Sequence, residues 1–110
     1  MKVIKLCTDG VCSIKDIENT LEALQQEVGG YIETITLASD LVLICDEEGR
    51  LKNKAPNLPA SVFMPGIIGD VIVAGVSDDD FCDLSDNMIR YVTEALYRRL
   101  GWVLKEEKNK

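Results

Sequence analysis

The hydrophobic pattern of the chain alternates between strand-like and helix-like segments. Residues 2–7, KVIKLC, form a short and largely apolar run that predicts a first strand. Asp9-Gly10 then predicts a tight turn, and Val11-Cys12 a brief return of the chain. Residues 31–37 and 41–45 are rich in β-branched and aliphatic side chains, so they predict two further strands joined by a turn.

A wholly apolar segment predicts one more strand. Residues 71–74, VIVA, lie between Gly69 and Gly75 and contain no polar side chain, so we expect an inner strand that is covered on both faces. The preceding residues 50–61 hold two prolines, two asparagines and three basic residues. This composition predicts the longest irregular loop of the chain.

Two segments have the spacing of amphipathic helices. Ser13 offers an N-cap oxygen for the first, whose apolar side chains recur every three or four residues at Ile17, Leu21, Leu24 and Val28. Gly29 and Gly30 then predict a structural turn, because a helix end favours the left-handed conformation that glycine adopts easily. The alternative reason for the glycine pair is close approach of a partner to the backbone.

The second helix begins at Ser85 or Asp83 and ends at Gly101. Its apolar stripe consists of Met88, Ile89, Val92, Ala95, Leu96 and Leu100. The element order is therefore β-α-β-β-β-α, which predicts an α+β fold with a small mixed or mainly antiparallel sheet of three to five strands and two helices packed on it. We expect a single domain over residues 1–104 and a flexible charged tail over residues 105–110.

Composition and charge exclude several classes of function. No apolar run approaches the roughly 20 residues that a membrane span requires, and the first residues lack the pattern of a signal peptide, so we expect a cytoplasmic protein. Nineteen acidic residues against twelve basic ones give a net charge of −7. Because no cluster of lysine and arginine is present to contact phosphates, we expect no direct binding to nucleic acid.

The chain has no histidine and four cysteines, Cys7, Cys12, Cys45 and Cys82. Without histidine, the usual general acid or base is missing, and a serine or cysteine nucleophile lacks its usual partner. We therefore predict a protein that is not an enzyme and has no cofactor. A zinc site would have to be built from cysteine alone, and the isolated positions of Cys45 and Cys82 favour buried, reduced thiols instead.

An acidic stretch is the sharpest local feature of the sequence. Within residues 78–86, Asp79, Asp80 and Asp83 are candidates for a divalent-cation site or for an acidic surface that meets a basic partner. Their spacing does not match a calcium-binding loop. The simpler interpretation is a solvated turn whose last carboxylates cap a helix.

Four further residues are candidates for contact with a ligand or partner. Asp46 and Glu47 lie in a second acidic turn, for which a charged hairpin tip is the simpler interpretation. Asn57 either caps local backbone or contacts a ligand, and Glu33 lies on a predicted strand. The aromatic side chains of the last third could stack on a base, although packing of the second helix on the sheet explains them more simply.

Ordered motifs give the chain a resemblance to a known family. Over residues 2–76 it resembles a domain-of-unknown-function family of small proteins that are often encoded by phages, conjugative plasmids and gut bacteria. The matching positions are Leu24, Gln25, Val28, Gly29, Gly30, Ile32, Glu33, Asp46, Glu47, Gly49, Asn57, Ala60, Gly69, Val71, Ile72 and Gly75. The resemblance implies no catalytic residue and no established ligand.

These observations favour a non-enzymatic interaction or regulatory protein of a phage or mobile element that binds a host protein. The expected binding surface combines the loop at 50–61, the turn at 46–48 and the acidic segment at 78–83. The alternative is a protein that binds a nucleotide or metabolite. A homodimer is one way to cover the open edges of so small a sheet.

Overall fold

The computed structural model describes residues 1–106, which form seven strands and three helices. The strands are β1 (Lys2–Leu6), β2 (Cys12–Asp16), β3 (Ile32–Ala38), β4 (Leu41–Asp46), β5 (Val71–Ser77), β6 (Asp80–Cys82) and β7 (Lys105–Glu106). The helices are α1 (Leu21–Val28), α2 (Leu58–Ser61) and α3 (Asp86–Leu100). The predicted α+β class is confirmed.

All strands belong to one sheet, in the order β3-β4-β5-β1-β2-β7, with β6 paired to the far end of β5. Each pair is antiparallel except β2 with β7, which is parallel. The centre of the sheet is β5, which pairs with β4 on one side and with β1 on the other. The prediction of an inner strand at 71–74 is thus confirmed.

The core lies on both faces of this sheet. On one face, Leu24 and Val28 of α1 pack with Ile72 and Ala74 of β5. On the other face, α3 packs with the alternate residues of the same strand through Val92 and Leu96. Because both faces of β5 are covered, its first four residues are apolar without interruption.

The predicted start of the first helix is wrong. Residues 12–16 form β2, which pairs in continuous register with β1, and α1 begins only at Leu21, with Thr20 as its N-cap. The Thr20 hydroxyl accepts a hydrogen bond from the backbone N–H of Ala23 (3.2 Å). Ile17 lies before the helix and Leu21 is 55% exposed, so only Leu24 and Val28 of the predicted apolar stripe are buried residues of α1. Five ladder pairs with a neighbouring strand outweigh one weak helical turn.

The predicted numbers of strands and helices are also too low. The brief return at Val11-Cys12 is a full strand, the stretch after β5 contains β6, and the loop at 50–61 contains the one-turn helix α2. These three elements are short, and pairing or capping contacts from distant residues define them. A periodic pattern needs more residues than they possess.

The second predicted helix is confirmed. Ser85, rather than Asp83, is the N-cap of α3, and its hydroxyl accepts a hydrogen bond from the backbone N–H of Met88. Gly101 ends the helix in the left-handed conformation. Within residues 1–106, no helix combines the length and hydrophobicity needed to cross a lipid bilayer. Of the predicted tail, Lys105–Glu106 form β7, and residues 107–110 lie outside the described part of the chain.

Candidate functional site

Asp46, at the end of β4, is the one charged residue that is buried among the described residues. Its side chain is 0% exposed, and it contacts the ammonium groups of Lys54 (2.6 Å) and Lys52 (3.0 Å) through Oδ2. Its other oxygen, Oδ1, accepts a hydrogen bond from the backbone N–H of Glu48 (2.9 Å). We call Asp46, Lys52 and Lys54 the lysine–aspartate cluster.

The cluster also closes the C-terminal end of α1. Lys54 donates to the backbone carbonyl of Val28 (2.7 Å), and Lys52 to that of Gly29 (3.1 Å). The last carbonyls of a helix have no partner within the helix, and cations suit the negative end of its dipole. The cluster therefore fixes the end of α1 to the loop that follows β4.

The surroundings of Asp46 keep its carboxylate ionised. Burial by itself raises the pKa of this group, but hydrogen bonds from Lys54, from the backbone of Glu48 and from Lys52 outweigh burial. The net result is a pKa lowered from the ordinary 3.8 to about 2. The carboxylate thus remains a fixed negative charge between two ammonium groups over the whole physiological range of pH.

The lysine–aspartate cluster explains why two glycines stand together after α1. Gly29 ends the helix with φ = +78°, the left-handed region. Gly30 meets a different demand, because a Cβ at this position would lie 2.5 Å from Oδ1 of Asp46 and 2.5 Å from Nζ of Lys52. Both glycines thus serve the turn after α1, and the close approach at Gly30 is that of the protein's own side chains.

Beside the cluster, a cleft of about 360 Å³ opens between β3, β4 and the loops that follow β4 and α2. Three of the predicted contact residues, Glu33, Asp46 and Glu47, line it together. Arg50 and Leu51 lie on the same cleft, and Leu51 is 80% exposed. We call this feature the β3–β4 cleft.

Asn57 has a role within the fold. It is 1% exposed, and its amide nitrogen donates to the backbone carbonyls of Leu6 and Gly69, both at 2.8 Å. Its Oδ1 accepts from the backbone N–H of Ala60 and so caps α2. Of the two roles considered for Asn57, the structure contains the cap, while ligand contact stays a prediction.

The remaining predicted contact residues lie at the opposite end of the sheet. Asp79 occupies the turn between β5 and β6, Asp80 begins β6, and Asp83 accepts a hydrogen bond from the backbone N–H of Lys2 (2.8 Å). This turn is near the β3–β4 turn, because Val76 donates to the carbonyl of Asp40. The length of β4, about 17 Å, separates it from Asp46.

A second cleft of about 360 Å³ lies on the α1 side of the sheet. Lys5, Thr8, Lys54 and Asp70 line it, together with Glu27 near the end of α1. The carboxylate of Glu27 binds Lys15 (2.8 Å) and Lys5 (3.2 Å). Burial raises the pKa of Glu27, but the hydrogen bonds from the two lysines lower it by more. We call this feature the α1 cleft.

The four cysteines are free thiols. Burial raises the pKa of Cys12 to about 11 and raises the pKa of Cys7 and Cys45 in the same direction. A thiol with a raised pKa is a weak nucleophile and a weak metal ligand at neutral pH. Among residues 1–106, no group of three or more Cys, Asp or Glu side chains is placed to hold a metal ion.

Sequence reasoning missed two lysines of the lysine–aspartate cluster and two apolar residues of the β3–β4 cleft beside it. Lys52 and Lys54 lie in the segment whose composition predicts an irregular loop, although their spacing of two residues allows both to point to the same side. Their partner Asp46 and the carbonyls of α1 are distant along the chain. Met64 and Pro65 line the same cleft and carry no local signal at all.

Comparison with known proteins places the chain in a family. The model of the family described as Domain of unknown function (DUF3846) matches residues 1–97. This match extends the resemblance over residues 2–76 through β6 and most of α3. No curated protein and no solved structure matches the chain. Because the matched residues make up most of the chain, the protein belongs to the DUF3846 family.

Proposed function

We propose that the protein is a non-enzymatic interaction protein that binds another protein through the β3–β4 cleft. The main support for this proposal is that Leu51 is exposed on a cleft that is also lined by the charged residues Glu33, Glu47 and Arg50. Leu51 shares this cleft with Met64 and Pro65, and an apolar patch with a polar rim is typical of a protein-binding surface. The resemblance to phage and plasmid proteins supports a host protein in the cytoplasm as the partner.

The lysine–aspartate cluster supports this surface from beneath. It anchors the segment that carries Arg50 and Leu51, because Lys52 directly follows Leu51 and binds Asp46, as does Lys54. A rigid support lowers the entropy lost when a surface loop binds a partner. Tyr31, which is 65% exposed, is held beside the cleft by the hydrogen bond from the backbone N–H of Glu47 to its carbonyl.

The chemistry of the residues supports binding rather than catalysis. The sequence contains no histidine, and the raised pKa values of Cys7, Cys12 and Cys45 keep these thiols protonated at neutral pH. The acidic turn at Asp79 is too far from the β3–β4 cleft to share one small ligand with it. A protein partner is large enough to contact both.

Site-specific photo-crosslinking in host lysate tests this proposal. A photoreactive amino acid at Leu51 is expected to attach one host protein, whereas the same probe at Val103, which is similarly exposed, is not. With the probe kept at Leu51, Arg50→Glu is expected to lower the yield at least about fivefold, because it reverses a charge at the cleft. Arg90→Glu, on the exposed side of α3, is the matched control.

Two results would refute the proposal. One is the absence of an adduct that depends on the probe at Leu51. The other is an equal loss of adduct with Arg50→Glu and with Arg90→Glu, which would show that net charge, rather than this cleft, determines capture.

The α1 cleft favours a second candidate function, the binding of a small metabolite or nucleotide. Its lining combines ammonium groups of Lys5 and Lys54 with carboxylates of Glu27 and Asp70, and its volume is that of a small-molecule site. Lys5→Gln would weaken the retention of such a ligand. Retention of a small molecule by the wild type and its loss in this variant, measured by mass spectrometry, would favour this candidate over the first.

A further inference from the structure

The outer edge of β3 is a long strand edge with little protection. Among the described residues, β3 pairs with β4 alone, and no described residue pairs with its other side. Its seven residues, IETITLA, include no proline or lysine and one charged residue, Glu33. Proteins usually protect such edges with charges, proline or short strands.

The register identifies which backbone groups point outward. The hydrogen bond from the N–H of Glu47 to the carbonyl of Tyr31 shows that the backbone of Tyr31 faces β4. Because this orientation alternates along an antiparallel strand, Glu33 and Ile35 also face β4. The N–H and C=O groups of Ile32, Thr34 and Thr36 therefore point away from the sheet.

We propose that this edge pairs with β3 of a second copy of the chain, antiparallel and about a twofold axis at Thr34. In this register Ile32 pairs with Thr36 of the partner subunit, and the two Thr34 residues pair with each other. Every outward N–H and C=O group of these three residues then has a partner. A twofold axis requires such a self-complementary surface.

The side chains suit the same register. Glu33 lies across from Ile35 of the partner subunit, so the two Glu33 carboxylates do not face each other. Threonine opposite threonine is a favourable cross-strand pair. The irregularity between Thr36 and Ala38 ends the regular edge beyond this region.

Analytical ultracentrifugation of the full chain over a series of concentrations tests the proposal. The wild type is expected to pass from a mass of 12.2 kDa to twice that mass as concentration rises. Thr34→Lys brings two ammonium groups together at the axis, so we expect the dimer dissociation constant to rise at least about fivefold. Ser39→Lys adds the same charge in the exposed β3–β4 turn and is expected to leave the constant nearly unchanged.

Amide hydrogen exchange adds a readout that identifies the interface. With rising concentration, the amides of Ile32, Thr34 and Thr36 are expected to become protected, whereas those of Glu33 and Ile35 are protected already. Circular dichroism confirms that each variant is folded. A wild type that remains monomeric, equal dimerisation of both lysine variants, or unchanged exchange at Thr34 would each overturn the proposal. Because partner capture at Leu51 is measured separately, either proposal can fail alone.

Discussion

At the scale of single residues, Asp46 connects three parts of the molecule. Asp46 is the last residue of β4, and the two lysines that bind its carboxylate also donate to backbone carbonyls at the C-terminal end of α1. Both lysines retain contact with water, since Lys52 is 40% exposed and Lys54 25%. The cluster is thus a partly solvated network in which the aspartate is the only fully buried member.

Replacing Asp46 by asparagine tests the energetic role of this network. The amide cannot neutralise Lys52 and Lys54, so we expect the free energy of unfolding to fall by about 2 kcal/mol. This is less than the loss for a fully buried ion pair, because the lysines can turn toward water. Urea unfolding at neutral pH measures the change, and Glu47→Gln, an exposed carboxylate in the same turn, is the control.

The lowered pKa of Asp46 predicts how acid affects stability. A carboxyl whose pKa falls on folding stabilises the folded state above its ordinary pKa of 3.8, and this contribution disappears as the pH falls toward about 2. The wild type should therefore lose more stability than Asp46→Asn between neutral pH and about pH 3. Urea titrations at several pH values measure this difference, and parallel pH profiles would contradict the assignment.

Gly30 permits a second prediction at this scale. Gly30→Ala places a methyl group against Asp46 and Lys52, so we expect a loss of about 2 kcal/mol in the free energy of unfolding. Gly101→Ala is the contrasting variant, because it meets no neighbour and is penalised by its positive φ alone, at about 1 kcal/mol. In an Asp46→Ala background, thermal unfolding should show a smaller effect of Gly30→Ala. An unchanged effect would exclude the proposed contact.

At the scale of elements, the β5–β6 hairpin turn is built from two residues that rarely adopt its conformation. Asp78 and Asp79 have φ values of +52° and +64°, between the paired residues Ser77 and Asp80. Two central residues with positive φ define the tight turn that suits the twist of a hairpin. Aspartate tolerates this conformation better than most residues but less well than glycine.

Asp79→Gly should therefore stabilise the protein by about 0.5–1 kcal/mol. Asp80→Gly, one residue further, places glycine within β6 and should destabilise it by a similar amount. Thermal unfolding of both variants measures the difference in sign. If Asp79→Gly lowers the melting temperature, the hairpin turn does not have positive φ values at both central residues.

The elements also show how far the sequence predicts the structure. The inner strand β5 follows from the apolar run at residues 71–74, although the strand itself continues to Ser77, and the long helix α3 follows from an apolar stripe with clear ends. By contrast, the sequence predicts a helix where β2 lies, because Ile17 and Leu21 continue the three- and four-residue spacing of Leu24 and Val28 in α1. Pairing with β1 decides the conformation of β2, and a local pattern contains no information on a strand partner.

At the scale of the whole molecule, one sheet lies between α1 on one face and α3 on the other, and its function depends on what remains exposed. Sequence reasoning placed Glu33, Asp46 and Glu47 among the candidates, and the fold brings them together at the β3–β4 cleft. The sequence does not show that Asp79, Asp80 and Asp83 lie far from these three residues, because the distance between two ends of a sheet depends on its topology. We propose a partner protein at the cleft and a second copy of the chain at the edge of β3.

Native mass spectrometry of the purified wild-type protein decides most directly whether the molecule binds proteins or small ligands. We expect masses of the bare chain and of its dimer, with no additional mass that denaturation removes. One small molecule retained by each chain, released on denaturation and lost in Lys5→Gln, would contradict an interaction protein and assign the function to the α1 cleft.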